Sequence, residues 1–575
     1  MSESPRRRRN FAVPGRWGSG TLQATIVVCV AVGLSACGGI PDAGPVNSGP
    51  SFGEQPSSET IFNPIGPAQD ATQRSILEGF IAAFTGTQGD YGVARQFLSS
   101  SFKKEWNPRT SVLIRSGAPV VTSVDDSTME YAFTTSAQLD EFGAYTSAAL
   151  ATQRLTFTLV QEKGQWRISQ APDGIVLAES TFLTIFAKHA LYFYDLSLQH
   201  LVPDQRWFPG GTTATRIVTS LLAGPPDWLK GAVVSQIPDG TQLSQGTTVT
   251  VEGTLAQVDL TTAAAAANAR QRQLMQLQIS ESLSTVPGIG SVELSVAGSV
   301  LAIDPIGPDA PVATPSVDSR PLVLADGKFG YVAGDAITEI AGLSEKMAVL
   351  NPSAATLGAL GTAAAARAKD GVYVVRTGQI PVKKVDSRAG LIAPSLDQYG
   401  YVWSVPRVTP NAMEAFDFNG TAFPVTMALP VDSQIVSFAI SRDNARIAIL
   451  LQTQLGARLV VAAIVRDAAQ GFVPTSVGRP VMDIGLDESA AIGVTWVDAY
   501  SVATLTEQDG VDFVTNLEIG GQQTSLGRPT SSVAIVGGNG RSGLRVLGED
   551  HLLQAPRGSS WQKTSIKAEM IATQR

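Results

Sequence analysis

The sequence predicts a multi-domain, mainly β chain: two α+β modules followed by a C-terminal β-propeller of about five to seven blades. Three observations carry that expectation. The chain has 575 residues, room for three or four domains. Its 55 glycines and 33 prolines punctuate runs rich in Val and Thr, the pattern of strands joined by turns. After residue 321, Ser-x-Asp turns between short apolar strands recur at about 45 residues, the spacing of propeller blades.

Residues 1–36 read as an export signal. Arg6, Arg7, Arg8, Arg9 and Arg16 form a basic head, and residues 21–34 are uncharged and mostly apolar. That run is shorter than the ~20 residues a spanning helix needs, which sets an uncleaved membrane anchor behind a cleaved signal. Arg8-Arg9-Asn10-Phe11 fits either a twin-arginine signal or a plain basic head, so Sec and Tat export both stay open. Leu34-Ser35-Ala36-Cys37 resembles a bacterial lipobox. That resemblance implies an S-diacylglycerol and N-acyl modification of Cys37, two or three acyl chains that hold a protein durably on a membrane. Cys29, the second cysteine, lies in the removed segment, so the mature chain has no thiol for a disulfide or a metal site. Removal of five arginines and Glu3 changes the charge from 42 − 50 = −8 to 37 − 49 = −12. An acidic chain lacks the basic footprint of a nucleic-acid binder.

Residues 37–67 read as the lipidated cysteine and a flexible tether, interrupted by six prolines and six glycines. As a flexible coil it reaches on the order of 30 Å. Residues 68–178 form the first folded domain. Ile76, Leu77, Phe80, Ile81 and Phe84 mark a helix, and a second helix is expected over 91–102. Strands follow at 128–139 and 155–162, then a Lys163-Gly164 hairpin turn into 165–169. Helices followed by a meander ending in Gly-x-Trp-Arg-Ile are similar to the cone-shaped nuclear transport factor 2-like fold.

Residues 188–300 show a second pattern. Leu191-Tyr192-Phe193-Tyr194 is a strand, and Leu201-Val202-Pro203 pairs with it or continues it. A helix stops at Leu221-Leu222-Ala223-Gly224-Pro225-Pro226, where Gly and Pro end it. Ile237-Pro238-Asp239-Gly240-Thr241 is a turn, and residues 249–260 form a hairpin about Glu252-Gly253. Leu274, Met275, Leu277, Ile279, Leu283 and Val286 stripe a long helix ended by Pro287-Gly288, and 291–296 is the last strand. The order of these elements and their turn sequences resemble the GerMN domain of bacterial cell-surface germination and sporulation proteins.

Residues 301–320 read as a linker with four prolines. From 321 to 575 short apolar strands recur with small-residue turns. Ser441-Arg442-Asp443-Asn444 and Ser395-Leu396-Asp397-Gln398 both read Ser-x-Asp, turn, apolar strand. Residues 349–353 begin a degenerate copy, and Gly493-Val494-Thr495-Trp496-Val497-Asp498 opens another. Serine and aspartate oxygens take up turn amides, and Asn444 or Gly400 accepts the backbone conformation. A pair of β-sandwiches is the alternative to a propeller.

The chain carries no HExxH, P-loop or Gly-x-Ser-x-Gly motif, and neither a catalytic, metal nor cofactor-binding residue can be assigned. Gly538-Asn539-Gly540-Arg541-Ser542-Gly543 fits a dinucleotide pattern but precedes a strand-like run, so a turn is expected. His189, His200 and His551 are far apart and expected to be structural.

Lipobox, α+β module, GerMN domain and propeller in that order resemble the LpqB family of actinobacterial lipoproteins across essentially the whole chain. The resemblance implies a non-enzymatic, extracytoplasmic lipoprotein at the cell membrane. It also implies that the protein binds the ectodomain of a sensor histidine kinase and modulates a two-component pathway for cell envelope and division. Two alternatives stay open. A glycan-binding lipoprotein would line a groove with exposed Trp403, Trp496 or Trp561, and a propeller hydrolase would converge carboxylates at the channel mouth.

Overall fold

The computed structural model describes residues 63–575 apart from Asp335. Cys37, the signal segment and most of the tether lie outside the described residues.

The first domain opens with α1 (Gln73–Ala82), capped by Thr72, whose side chain accepts from the Ser75 amide. Ile76, Leu77 and Phe80 are buried along one face, and Phe84 follows in a 3-10 turn. They pack on a sheet of β1 (Ser111–Ser123), β2 (Thr128–Asp140), β3 (Tyr145–Glu162), β4 (Gln165–Gln170) and β5 (Ile175–Ala178). Its order is β4-β3-β2-β1-β5, and only the β1–β5 pair is parallel. Along β2, Met129, Tyr131, Phe133, Thr135, Ala137 and Leu139 alternate inward, as a half-buried strand requires. Lys163 (φ 52°) and Gly164 (φ 76°) turn β3 into β4 in the left-handed conformation of a two-residue hairpin.

The helix expected over 91–102 does not form. Gly89, Asp90 and Tyr91 hold φ of 59°, 55° and 60°, which no α-helix allows. Short 3-10 turns at Ala94–Phe97 and Phe102–Lys104 replace it. Arg95 binds the carbonyls of Asp90, Lys103 and Trp106, satisfying groups that a helix would have paired internally.

α2 (Glu179–Ile185) leads into the second domain. β6 (Phe186–Asp195) and β7 (Leu201–Pro209) pair antiparallel, and β8 (Val233–Val234) adds to β6. α3 (Thr213–Leu222) ends where Gly224 takes φ 86°. A second sheet contains β9 (Thr250–Glu252), β10 (Leu255–Leu260), β11 (Ser291–Val296) and β12 (Ser299–Val300). β10 and β11 are parallel, so α4 (Ala269–Leu283) serves as their crossover. Leu274, Met275, Ile279 and Leu283 of α4 are buried, as their stripe predicted.

Residues 301–320 are bonded along much of their length. Val312 exchanges backbone hydrogen bonds with Gln199 and Leu201 of the second domain, and Val317 does so with the Asn539 side chain of the propeller.

The propeller has six four-stranded blades. Blade I is residues 322–339 plus a strand from the far end of the chain, Met570–Gln574, which pairs antiparallel with Leu322–Ala325. Blades II to VI follow at 354–386, 395–424, 434–485, 490–525 and 532–567. The innermost strands are Met570–Gln574, Ala354–Leu357, Ser395–Leu396, Gln434–Ile440, Ala490–Trp496 and Ser532–Val536, each against the next around a closed ring. Ring closure buries the short inner edges against one another, and the inner strands of blades I and II are hydrogen-bonded in parallel.

The Ser-x-Asp turns sit where expected, at the far ends of inner strands. Ser441 Oγ accepts from the Arg446 amide, Asp443 Oδ1 from the Ala445 amide, and Asn444 adopts φ 61°. In blade III, Asp397 Oδ1 accepts from the Tyr401 amide and Gly400 adopts φ 88°.

Candidate functional site

The described residues fold as one compact unit, so the three domains share interfaces. Trp207 on β7 touches all three. Its ring packs against Phe182 (4.8 Å) and Tyr145 (6.0 Å), its amide donates to Gly143, and its Nε1 donates to Gly520 of blade V at 2.8 Å. Lys188 beside it pairs with Glu518 of blade V at 2.6 Å. The Tyr192 and Tyr500 hydroxyls meet at 2.5 Å, Tyr399 donates to Asp195 at 2.7 Å, and Gln398 contacts His200 at 3.0 Å. Burial, then the Asp195 carboxylate, push the Tyr399 hydroxyl far above the ordinary phenol range, so it stays a neutral donor. Ala445 and Ala463 of the propeller join the second domain's apolar core.

These contacts lie on loops at the far ends of the inner strands. The second domain therefore covers that end of the propeller. Beneath it lies a buried charge layer. Arg466 pairs with Asp397 at 2.9 Å, their side chains 2% and 0% exposed, and Arg446 pairs with Asp443. Burial pushes the Asp443 carboxyl up, but Arg446 and the turn donors outweigh it and hold the group below its usual range. The ring faces of Trp496 and of Tyr399 stack on Arg446 and Arg466 at 4.8 and 4.6 Å.

The channel along the propeller axis is a cavity of about 380 Å³ lined by all six inner strands. At its covered end Arg575, following Met570–Gln574 of blade I, reaches across the axis to blade IV. Its guanidinium donates to the carbonyls of Ile440 (2.6 Å) and Ser441 (2.5 Å) and to Asn444 Oδ1 (2.8 Å). The other end opens between the loops that precede the inner strands, with Arg367, Arg407 and Glu569 lining it there.

The sequence-derived candidates can now be placed. Trp403 is fully buried, Trp496 is 5% exposed, and half-buried Trp561 donates to the Leu526 carbonyl. They are blade core, so the aromatic platform of a glycan-binding groove is missing at these positions. Among the described residues, Glu569 is the one carboxylate lining the channel. Hydrolysis by paired carboxylates needs two at fixed separation, and the channel does not supply them. His189 is buried against the Thr285 hydroxyl, and burial pushes its pKa down to about 4. His551 faces the Ala568 carbonyl. Residues 538–543 form the loop between two strands of blade VI, as the turn reading required. Among the described residues no group of three His, Cys, Asp or Glu is placed to hold a metal ion, and no helix is long and apolar enough to cross a membrane.

Sequence reasoning missed the arginines around the channel. Arg367, Arg407, Arg442 and Arg575 are distant in the chain and share no motif, and only ring closure gathers them.

Comparison with known proteins agrees with the module order. The family model for the N-terminal domain of lipoprotein LpqB matches residues 66–183, and that for the LpqB beta-propeller domain matches 327–570. Between them a sporulation and spore germination model matches 190–302. The segment 66–183 is described there only as an LpqB domain, so the nuclear transport factor 2-like reading gains no support. Lipoprotein LpqB of Cutibacterium acnes is 24% identical over 92% of this chain and 95% of its own. That of Streptomyces coelicolor is 24% identical over 96% and 98%, and that of Bifidobacterium longum is 33% identical over 36% and 39%. Among solved structures, the first GerMN domain of Bacillus subtilis GerM matches 22% of this chain and 97% of its own, with 19% identity and a TM-score of 0.18. Kuenenia stuttgartiensis hydrazine synthase matches 40% of this chain and 69% of its own, with 17% identity and a TM-score of 0.28. The relatives' printed names are lipoprotein names and not enzyme names. Two LpqB family models, the domain match between them and full-length relatives in the same order lead to one conclusion: the chain belongs to the LpqB family of actinobacterial lipoproteins.

Proposed function

We propose that this protein is held on the extracytoplasmic face of the cell membrane through acylated Cys37. There it binds and modulates the ectodomain of a sensor histidine kinase whose two-component pathway governs cell envelope and division. Family membership supports the reading, and one structural observation carries it. The second domain covers one end of the propeller, and among the described residues no domain covers the other. The loops and element ends there carry exposed Val349, Val408, Val431, Leu455, Val511 and Val533. Single exposed apolar residues are ordinary, but six at one end of a rigid ring make a surface suited to a protein partner. Confinement by a lipid anchor and a short tether raises the effective concentration of a membrane-borne partner, so modest contacts suffice.

Two variants test it by fractionation and in-cell crosslinking to the kinase ectodomain. Cys37→Ala leaves the membrane fraction and loses most of the crosslink. Val408→Asp with Leu455→Asp stays on the membrane and loses the crosslink. Capture of the kinase at parental yield by the double variant would refute docking through this end. No capture by the parent protein would refute the partner.

A further inference from the structure

We propose that the propeller channel, entered from its open end, is a binding site for a small, multiply charged oxyanion, a phosphate- or carboxylate-bearing molecule. The inference is independent of the kinase reading. Its first ground is charge. The channel is lined by Arg367, Arg407, Arg442 and Arg575 against Glu569, a formal balance of 4 − 1 = +3 in a chain whose total is −8. Its second ground is that none of these four arginines makes a direct ion pair with a described residue, although Asp397 and Asp443 act on Arg575, and Asp498 on Arg442, from a distance. Four other propeller arginines do pair with carboxylates: Arg388 with Asp386, Arg446 with Asp443, Arg458 with Asp483 and Arg466 with Asp397. The four channel arginines bond neutral acceptors instead. Arg367 donates to Ser353 Oγ (3.0 Å) and the Leu391 carbonyl (3.1 Å), and Arg407 to Gln434 Oε1 (3.3 Å). Arg442 donates to the Gly538 and Pro315 carbonyls, and Arg575 to blade IV as described. Arg575 Nε is buried with no partner.

Burial without a directly paired carboxylate costs a cation stability, and it shows here. Burial pulls Arg367 and Arg442 below the usual guanidinium range and Arg575 down to about 10. An oxyanion between the two ends would relieve that cost and accept charge-assisted hydrogen bonds. Ile392, Ile492 and Ile535 stand between these cations on the channel wall, and low-dielectric walls concentrate the field of charges lining a cleft. The volume, about 380 Å³, sits at the small end of ligand pockets and admits a molecule of roughly phosphosugar size. A cation would meet net repulsion.

Isothermal titration of the full chain in non-ionic detergent at low ionic strength tests this. Pyrophosphate and citrate are the probes, and glucose is the neutral control. The expected result is one saturable site for at least one probe with Kd below about 1 mM, and none for glucose. The stronger probe identifies phosphate or carboxylate as the preferred group. Arg367→Gln with Arg407→Gln weakens binding at least tenfold. Arg407→Gln alone changes an exposed rim residue, folds as the parent does and weakens binding at least threefold. No saturable binding of either probe, equal binding of glucose, or parental affinity in Arg407→Gln would each overturn the proposal.

Discussion

Asp397 anchors the charge layer beneath the second domain, and its removal has a calculable cost. Its Oδ1 accepts from the Tyr401 amide (2.9 Å), and its Oδ2 accepts from Trp403 Nε1 (2.9 Å) and Arg466 Nη2 (2.9 Å). Asp397→Ala strips all three donors and leaves a buried guanidinium without its carboxylate. Breaking one side of a buried pair costs about 3–5 kcal/mol. Arg466 keeps the Asn444 and Phe472 carbonyls and the faces of Tyr399 and Trp403, which places the loss near the lower value, about 3 kcal/mol. For a domain of this size that is roughly 6–12 °C in the propeller's melting transition. The assay is thermal and urea unfolding of the full chain, followed by tryptophan fluorescence. Asp397→Asn with Arg466→Met removes the orphan charge, and it is expected to recover part of the loss suffered by Asp397→Asn alone. A loss under about 1 kcal/mol in Asp397→Ala, or a double variant as unstable as the sum of its singles, would refute the reasoning.

Four further outcomes are expected. Trp207→Ala, which empties a site shared by three domains, costs about 3–5 kcal/mol. Lys188→Ala removes a partly exposed ion pair beside it and costs under about 1 kcal/mol, less still in high salt, as urea midpoints will report. His189 has a folded pKa of about 4 against 6.5 when unfolded, so its contribution is full above pH 6.5 and is lost as pH falls toward 4. His189→Phe should flatten the stability profile across that window by a few kcal/mol, and an unchanged slope would count against a neutral buried ring. Gly537→Ala would place a Cβ 2.0 Å from the Trp496 carbonyl and force blades V and VI apart, lowering stability by about 2 kcal/mol; a neutral effect in calorimetry would contradict that packing.

The sequence by itself determined the order of modules, because that order is written in local chemistry. Gly224 and Lys163-Gly164 ended a helix and turned a hairpin as read, and the Ser-x-Asp turns marked inner strands of blades III and IV. Periodicity located α1 and α4 for the same reason, since a buried stripe is a property of adjacent turns. The failure at 91–102 has a local cause: a side chain, Arg95, replaced helical hydrogen bonds, and no apolar pattern reports that. Tertiary structure alone decided the blade count, because blade I is completed by residues more than 240 positions away in the chain. It also decided that Trp403 and Trp496 are core and that Arg367, Arg407, Arg442 and Arg575 converge on one axis. Turns and helices are set by neighbours in sequence. The channel and the seam are set by ring closure, which brings residues together by packing and leaves no spacing to read.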